Sequence, residues 1–195
     1  VPYGEREQRG RELRTRFIDE IFPVLTPLAV DPGHPFPYIS DLSLSLAVTV
    51  RDPETGERRF ARIKVPPVLP RLVEVAPRTY ILLEQIIAAI LDALFPGMEI
   101  LEHHLFRVTR NADRAIEEDE ADDLLVAIEM ELRRRRFGKA LRLEVEADMG
   151  QDLADLLATE LEVGADGVFR VTAPLDLSGL WGVYALDRPD LHGET

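Results

Sequence analysis

The sequence has no cysteine at all, which excludes disulfides, thiolate metal sites and the stapled folds of small secreted domains. Histidine is scarce, with four in 195 residues, and tryptophan occurs once. Uninterrupted apolar runs are missing too. The greasiest stretch, residues 81–95, is broken by Glu84, Gln85 and Asp92, so it reads as a buried helix and falls short of the roughly 18–20 residues that cross a bilayer. Positive charge is in deficit: 23 Lys and Arg stand against 36 Asp and Glu, a formal net charge of -13. Such a surface repels nucleic acid and anionic membrane at long range, because both bind through phosphate neutralisation. A free-standing nucleic-acid binder is thereby disfavoured. The start, Val1-Pro2-Tyr3-Gly4, has no initiator Met, basic n-region or signal-like segment and reads as an excised piece of a cytoplasmic protein.

What is present is the balance of a folded chain, 46% hydrophobic and 30% charged. Residues 5–22 have helical apolar spacing through Leu13, Phe17, Ile18 and Ile21, and Pro23 should end that helix. Residues 24–30 contain Pro27 and make at best an edge strand. A stiff loop with three prolines follows at 31–38. Leu42, Leu44, Leu46, Val48 and Val50 then alternate with Ser43, Ser45, Ala47 and Thr49, the pattern of a half-buried strand. The turn residues Asp52-Pro53-Glu54-Thr55-Gly56 join it to a second strand over 60–65, making a β-hairpin.

Short strands are expected at 71–75 and 78–81, then a helix over 82–94 stopped by Pro96-Gly97. Further strands are expected at 99–109, 141–147 and 168–171, and helices at 120–137, 152–161 and, briefly, 176–184. A hairpin followed by alternating helices and strands gives an α+β class: a mixed, largely antiparallel sheet with packed helices in a single domain. Residues 1–22 read as a connecting helical arm and 23–195 as the domain proper.

Catalytic chemistry finds little support. His103 and His104 are neighbours on an expected strand, where adjacent side chains point to opposite faces, so they do not grip one ion readily. His34 has Asp31 and Asp41 as nearby carboxylates that could orient a nucleophilic imidazole, but prolines flank it and no phosphate cradle adjoins it, which favours a packed loop residue. Phosphate-loop, dinucleotide and nucleophile-elbow motifs are all absent. Arg133 to Arg136 would suit phosphate, yet four consecutive arginines spread round a helix and equally suit the negative end of its dipole. Arg107 and Arg110, three apart on a strand, face opposite sides unless the strand breaks at Thr109. The acidic run at 117–123 reads as a solvated helix start.

The wording of the sequence adds a family. The stretch from Ile21 to Ser40, centred on Asp31-Pro32-Gly33-His34-Pro35-Phe36-Pro37-Tyr38, resembles the opening of the polyphosphate kinase middle (head) domain. Similar matches occur at Arg62-Ile63-Lys64-Val65-Pro66, Leu94-Phe95-Pro96-Gly97, Phe106 to Asp113, Leu132 to Gly138, Leu141 to Val145 and Leu186 to Leu191, in family order.

The resemblance implies an enzyme that reversibly transfers the terminal phosphate of ATP to inorganic polyphosphate through a phosphohistidine, with Mg2+. It implies catalytic histidines in other domains, so no catalytic residue and no metal ligand is transferred to this chain. For this piece it implies scaffolding, dimerisation and tunnel shaping, with no cofactor bound and no activity alone. Its partners would be the amino-terminal and catalytic carboxy-terminal domains of the same chain, and a second copy in the whole enzyme. A cytoplasmic location is implied, compatible with peripheral membrane association of that enzyme. Arg107, Arg110 and Arg134 are the candidate polyphosphate or nucleotide contacts. His34, Phe36 and Tyr38 are the candidate interface residues, with weak or no dimerisation expected of the isolated piece. The alternatives are a free-standing protein-interaction module and a self-sufficient phosphohistidine enzyme using His34.

Overall fold

The computed structural model describes residues 14–15, 17–25, 27–30, 36–111, 138–172 and 174–186. The expectations for His34, the 31–35 loop, the acidic run, Arg133 to Arg136 with Arg134 among them, the 120–137 helix and the tail after 187 lie outside those residues. The chain forms two compact units, one of residues 1–37, 45–105 and 176–195, the other of 38–44 and 106–175.

The first unit is built on the hairpin. Strands β2 (Leu44–Arg51) and β3 (Arg58–Lys64) pair antiparallel, with Ala47 opposite Arg62 and Thr49 opposite Phe60. The turn forms because the Asp52 carboxylate accepts the backbone N–H groups of Glu54 and Thr55 at 2.8 and 3.2 Å. Strand β1 (Leu28–Val30) adds to β3 at the sheet edge, where Pro27 costs no ladder bond. The order here is β1-β3-β2, with the strand Glu99–Arg110 next to β2.

Two expectations change. Leu42 is not in the strand but sits in a turn at φ 54°. Strand β2 is buried on both faces, since Ser45 and Ala47 are as inaccessible as Leu46 and Val48. Small side chains look solvent-tolerant in a sequence, yet they are also what close packing requires on a second covered face.

A separate two-stranded ribbon, β4 (Leu72–Ala76) with β5 (Thr79–Leu82), turns at Pro77-Arg78. It leads directly into α1 (Leu83–Ala89) and α2 (Leu91–Leu94). The expected single helix breaks at Ile90 (φ −117°, ψ 15°), whose N–H bonds the carbonyl three residues back instead of four. Leu83, Ile86, Ile87, Ile90 and Leu91 are the buried face. The unit also holds a 3-10 turn, Leu177–Leu180, and the short helix α4 (Trp181–Tyr184).

Strand β6 (Glu99–Arg110) contributes its last five residues to the second unit. There Phe106 to Arg110 pair antiparallel with β7 (Ala140–Glu146), and β8 (Val168–Val171) lies parallel to β7. Helix α3 (Gln151–Glu160) makes the crossover that a parallel pair needs. Phe106, Val108, Leu143, Val145, Leu153 and Leu157 are fully or almost fully buried. Among the described residues, no helix is long and apolar enough to cross a membrane.

Candidate functional site

In the second unit the sheet register slips between Thr109 and Arg110, and that bulge decides where the two candidate arginines go. Arg107, opposite Glu144 in the β6–β7 ladder, donates from Nη1 to the Glu144 carboxylate at 3.0 Å and from Nε to the Leu42 carbonyl at 3.3 Å. Arg110 donates from Nε to the Ile39 carbonyl at 2.8 Å and from Nη1 to the Gly138 carbonyl at 2.9 Å, while its backbone N–H bonds Asp41 at 2.8 Å. Both side chains therefore grip the same segment, 39–42. The alternation of a regular strand would have separated them.

Tyr38 lies under the Arg110 guanidinium, 4.6 Å from ring centroid to Cζ. Burial pushes its phenol pKa up, which Arg110 opposes and Asp41 reinforces. Glu144 also accepts from Arg142 at 2.9 Å, and Arg142 stacks over Phe169 at 4.1 Å. A guanidinium is well shaped to fork onto phosphate. Here the forks already hold backbone carbonyls and a carboxylate.

In the first unit, Phe36 stacks on Phe60 with centroids 5.4 Å apart. His103 and His104 do occupy β6, and His104 Nε2 lies 3.5 Å from a Glu102 oxygen. Both line an open groove of about 510 Å³ with Ala88, Leu91, Ile100 and Leu101 as apolar lining and Asp92 and Glu102 as acids. The carboxylates make it a poor phosphate seat. Asp92 is drawn below its ordinary pKa chiefly by the hydrogen bond from Arg14, 2.5 Å away.

Sequence reasoning missed a buried polar cluster of this unit. Arg71 binds the buried Glu84 through Nε and Nη2 and reaches the Asp176 carbonyl with Nη1, joining residues 105 apart. A signal was present: a glutamate interrupting an apolar helix face needs a cation. Arg62 was missed as well. It is 5% exposed, donates from Nε to Ser45 Oγ at 3.2 Å, and its buried Nη2 finds no acceptor among the described residues.

These features define an α+β fold in which Arg71, Arg107 and Arg110 tie segments of the chain together. A profile of the polyphosphate kinase middle domain matches residues 8–183, and the chain belongs to that family. It is 57% identical over 188 residues to a polyphosphate kinase of Streptomyces coelicolor, covering 96% of this chain and 25% of that protein. It is 51% identical to one from Mycobacterium tuberculosis, covering 100% of this chain and 28% of that protein. The crystal structure of polyphosphate kinase from Porphyromonas gingivalis superposes with TM-score 0.70 at 26% identity, over 95% of this chain and 27% of that one. The chain thus spans about a quarter of the length of the relatives it matches.

Proposed function

We propose that this chain is the framework domain of a polyphosphate kinase that reversibly moves the terminal phosphate of ATP onto inorganic polyphosphate through a phosphohistidine held in other domains. Its own contribution is to scaffold those domains, help two copies associate and shape the tunnel for the polymer. The observation that carries this reading is the occupation of Arg107 and Arg110 by internal acceptors, which makes them clamps within the domain. Net charge of -13 supports it, since a polyanion is not drawn to such a surface.

ATP and Mg2+ belong, on this reading, to the rest of the enzyme. Among the described residues, Glu84 is paired with Arg71, Glu99 with Arg51, and Glu144 with Arg107 and Arg142. Tyr38, 41% exposed beside Arg110, is the candidate contact for a second copy.

The test compares the chain alone with the whole enzyme, each incubated with γ-labelled ATP and Mg2+. The whole enzyme should acquire acid-labile label and make polymer, and the chain alone should do neither. Label on His34 of the lone chain, lost in His34→Ala, would overturn the framework role.

A further inference from the structure

The segment 177–186 reverses the usual arrangement of small and large residues. Its inner side is glycine. A Cβ on Gly179 would stand 2.6 Å from Arg71 Nη1, and one on Gly182 would stand 3.3 Å from a Leu72 methyl, so the backbone is seated directly on its support. Its outer side is large and apolar. Leu177, Trp181, Val183 and Tyr184 are 65, 72, 49 and 61% exposed. A chain free to fold for its own stability would bury the tryptophan and expose the glycines.

The display is also held in place. Asp176 takes a left-handed backbone at φ 54°, which a non-glycine residue adopts at a cost, and its carbonyl accepts from Arg71, itself fixed by Glu84. Trp181 and Tyr184 pack edge to face, centroids 6.0 Å apart, so the two rings are pre-arranged relative to each other. Rigid aromatic pairs of this kind are the residues that dominate binding at protein interfaces.

The chemistry of the occupant follows from what the segment lacks. Residues 177–186 contain no charged side chain, in a chain that is 30% charged. A polyanion or an acidic lipid surface would find no cation there. An apolar protein surface fits. Polyphosphate kinase relatives carry about three quarters of their length outside the region this chain matches, as the chain covers only 25 to 28% of them. Protein surface tethered in the same polypeptide meets the patch at high effective concentration.

We infer that the face formed by Leu177, Trp181, Val183 and Tyr184 is the seat on which another region of the same polyphosphate kinase polypeptide docks. The inference stands on family membership and surface chemistry, and synthesis of polymer by the lone chain would leave it intact.

The test uses the whole enzyme, prepared with a benzophenone amino acid in place of Trp181, irradiated and mapped by mass spectrometry, in an equal mixture of 14N and 15N copies. Adducts of uniform label to residues outside the 195-residue segment are expected. Adducts of mixed label, adducts confined to the segment, or none at all would each overturn the inference. A second measurement uses Trp181→Ser/Tyr184→Ser in the whole enzyme. Unchanged circular dichroism with roughly tenfold faster protease cleavage between domains is expected from loss of an aromatic anchor. Cleavage at the unaltered rate would also overturn it.

Discussion

Arg71 meets Glu84 side-on, Nε lying 3.0 and 3.2 Å from the two carboxylate oxygens and Nη2 2.6 Å from the first. The glutamate side chain is 2% exposed and the arginine 11%, so each ion depends on the other for the hydration it has lost. The same guanidinium anchors the Asp176 carbonyl, and with it the turn that carries Trp181.

Removing one partner should therefore be far worse than removing both. Glu84→Ala is expected to destabilise the chain by about 3 kcal/mol, because it strands a desolvated cation. The double variant Arg71→Met/Glu84→Leu should recover most of that loss. Urea unfolding checks both, followed by the fluorescence of the sole tryptophan. A loss below about 0.5 kcal/mol in Glu84→Ala, the range of an ordinary surface substitution, would show the pair to be unimportant.

Arg62 poses the opposite case, a buried cation whose Nε donates to the Ser45 hydroxyl and whose Nη2 has no hydrogen-bond acceptor among the described residues. Burial alone holds its pKa below the ordinary arginine value, the sign that the fold disfavours the charged form. It stays protonated in both folded and unfolded chains through the neutral range, so the penalty does not vary with pH there. Arg62→Met, which keeps the length of the side chain, should stabilise the chain by about 1–2 kcal/mol. Thermal midpoints at two pH values near neutrality test this, and a fall in both would mean that Nη2 has a strong acceptor after all.

The hairpin turn offers a pH signature. The Asp52 carboxyl is held below its ordinary value of 3.8, chiefly by the backbone N–H groups of Glu54 and Thr55. A depressed folded pKa gives stability that is present above the unfolded value and is lost as pH falls through the folded one. Asp52→Ala should lower the unfolding midpoint at neutral pH, and the gap from the native chain should begin to narrow as the pH drops beneath 3.8 and close below the depressed folded value. A gap that persists in acid would assign the loss to backbone freedom instead.

Elements whose causes are local were legible. Strands β2 and β3 follow from alternating side chains and a turn whose Asp52 supplies its own hydrogen bonds. Pro27 places β1 at an edge, and Pro77 separates β4 from β5. The 82–94 helix was legible in its apolar face but not in its break, because the change of hydrogen-bond partner at Ile90 leaves no mark in the spacing. Arg107 and Arg110 were recognisable as notable cations. Their acceptors, up to 71 residues away, were not.

By itself the sequence settled what depends on neighbours along the chain and on total charge: the family, the α+β class, the hairpin, and a net charge of -13. Only the tertiary structure decided which ions are covered and by what. Arg71 and Glu84, 13 residues apart, become a buried pair, and Gly179 turns inward while Trp181 turns out. The reason is that desolvation and packing are set by atoms near in space, and the sequence orders them only along the chain.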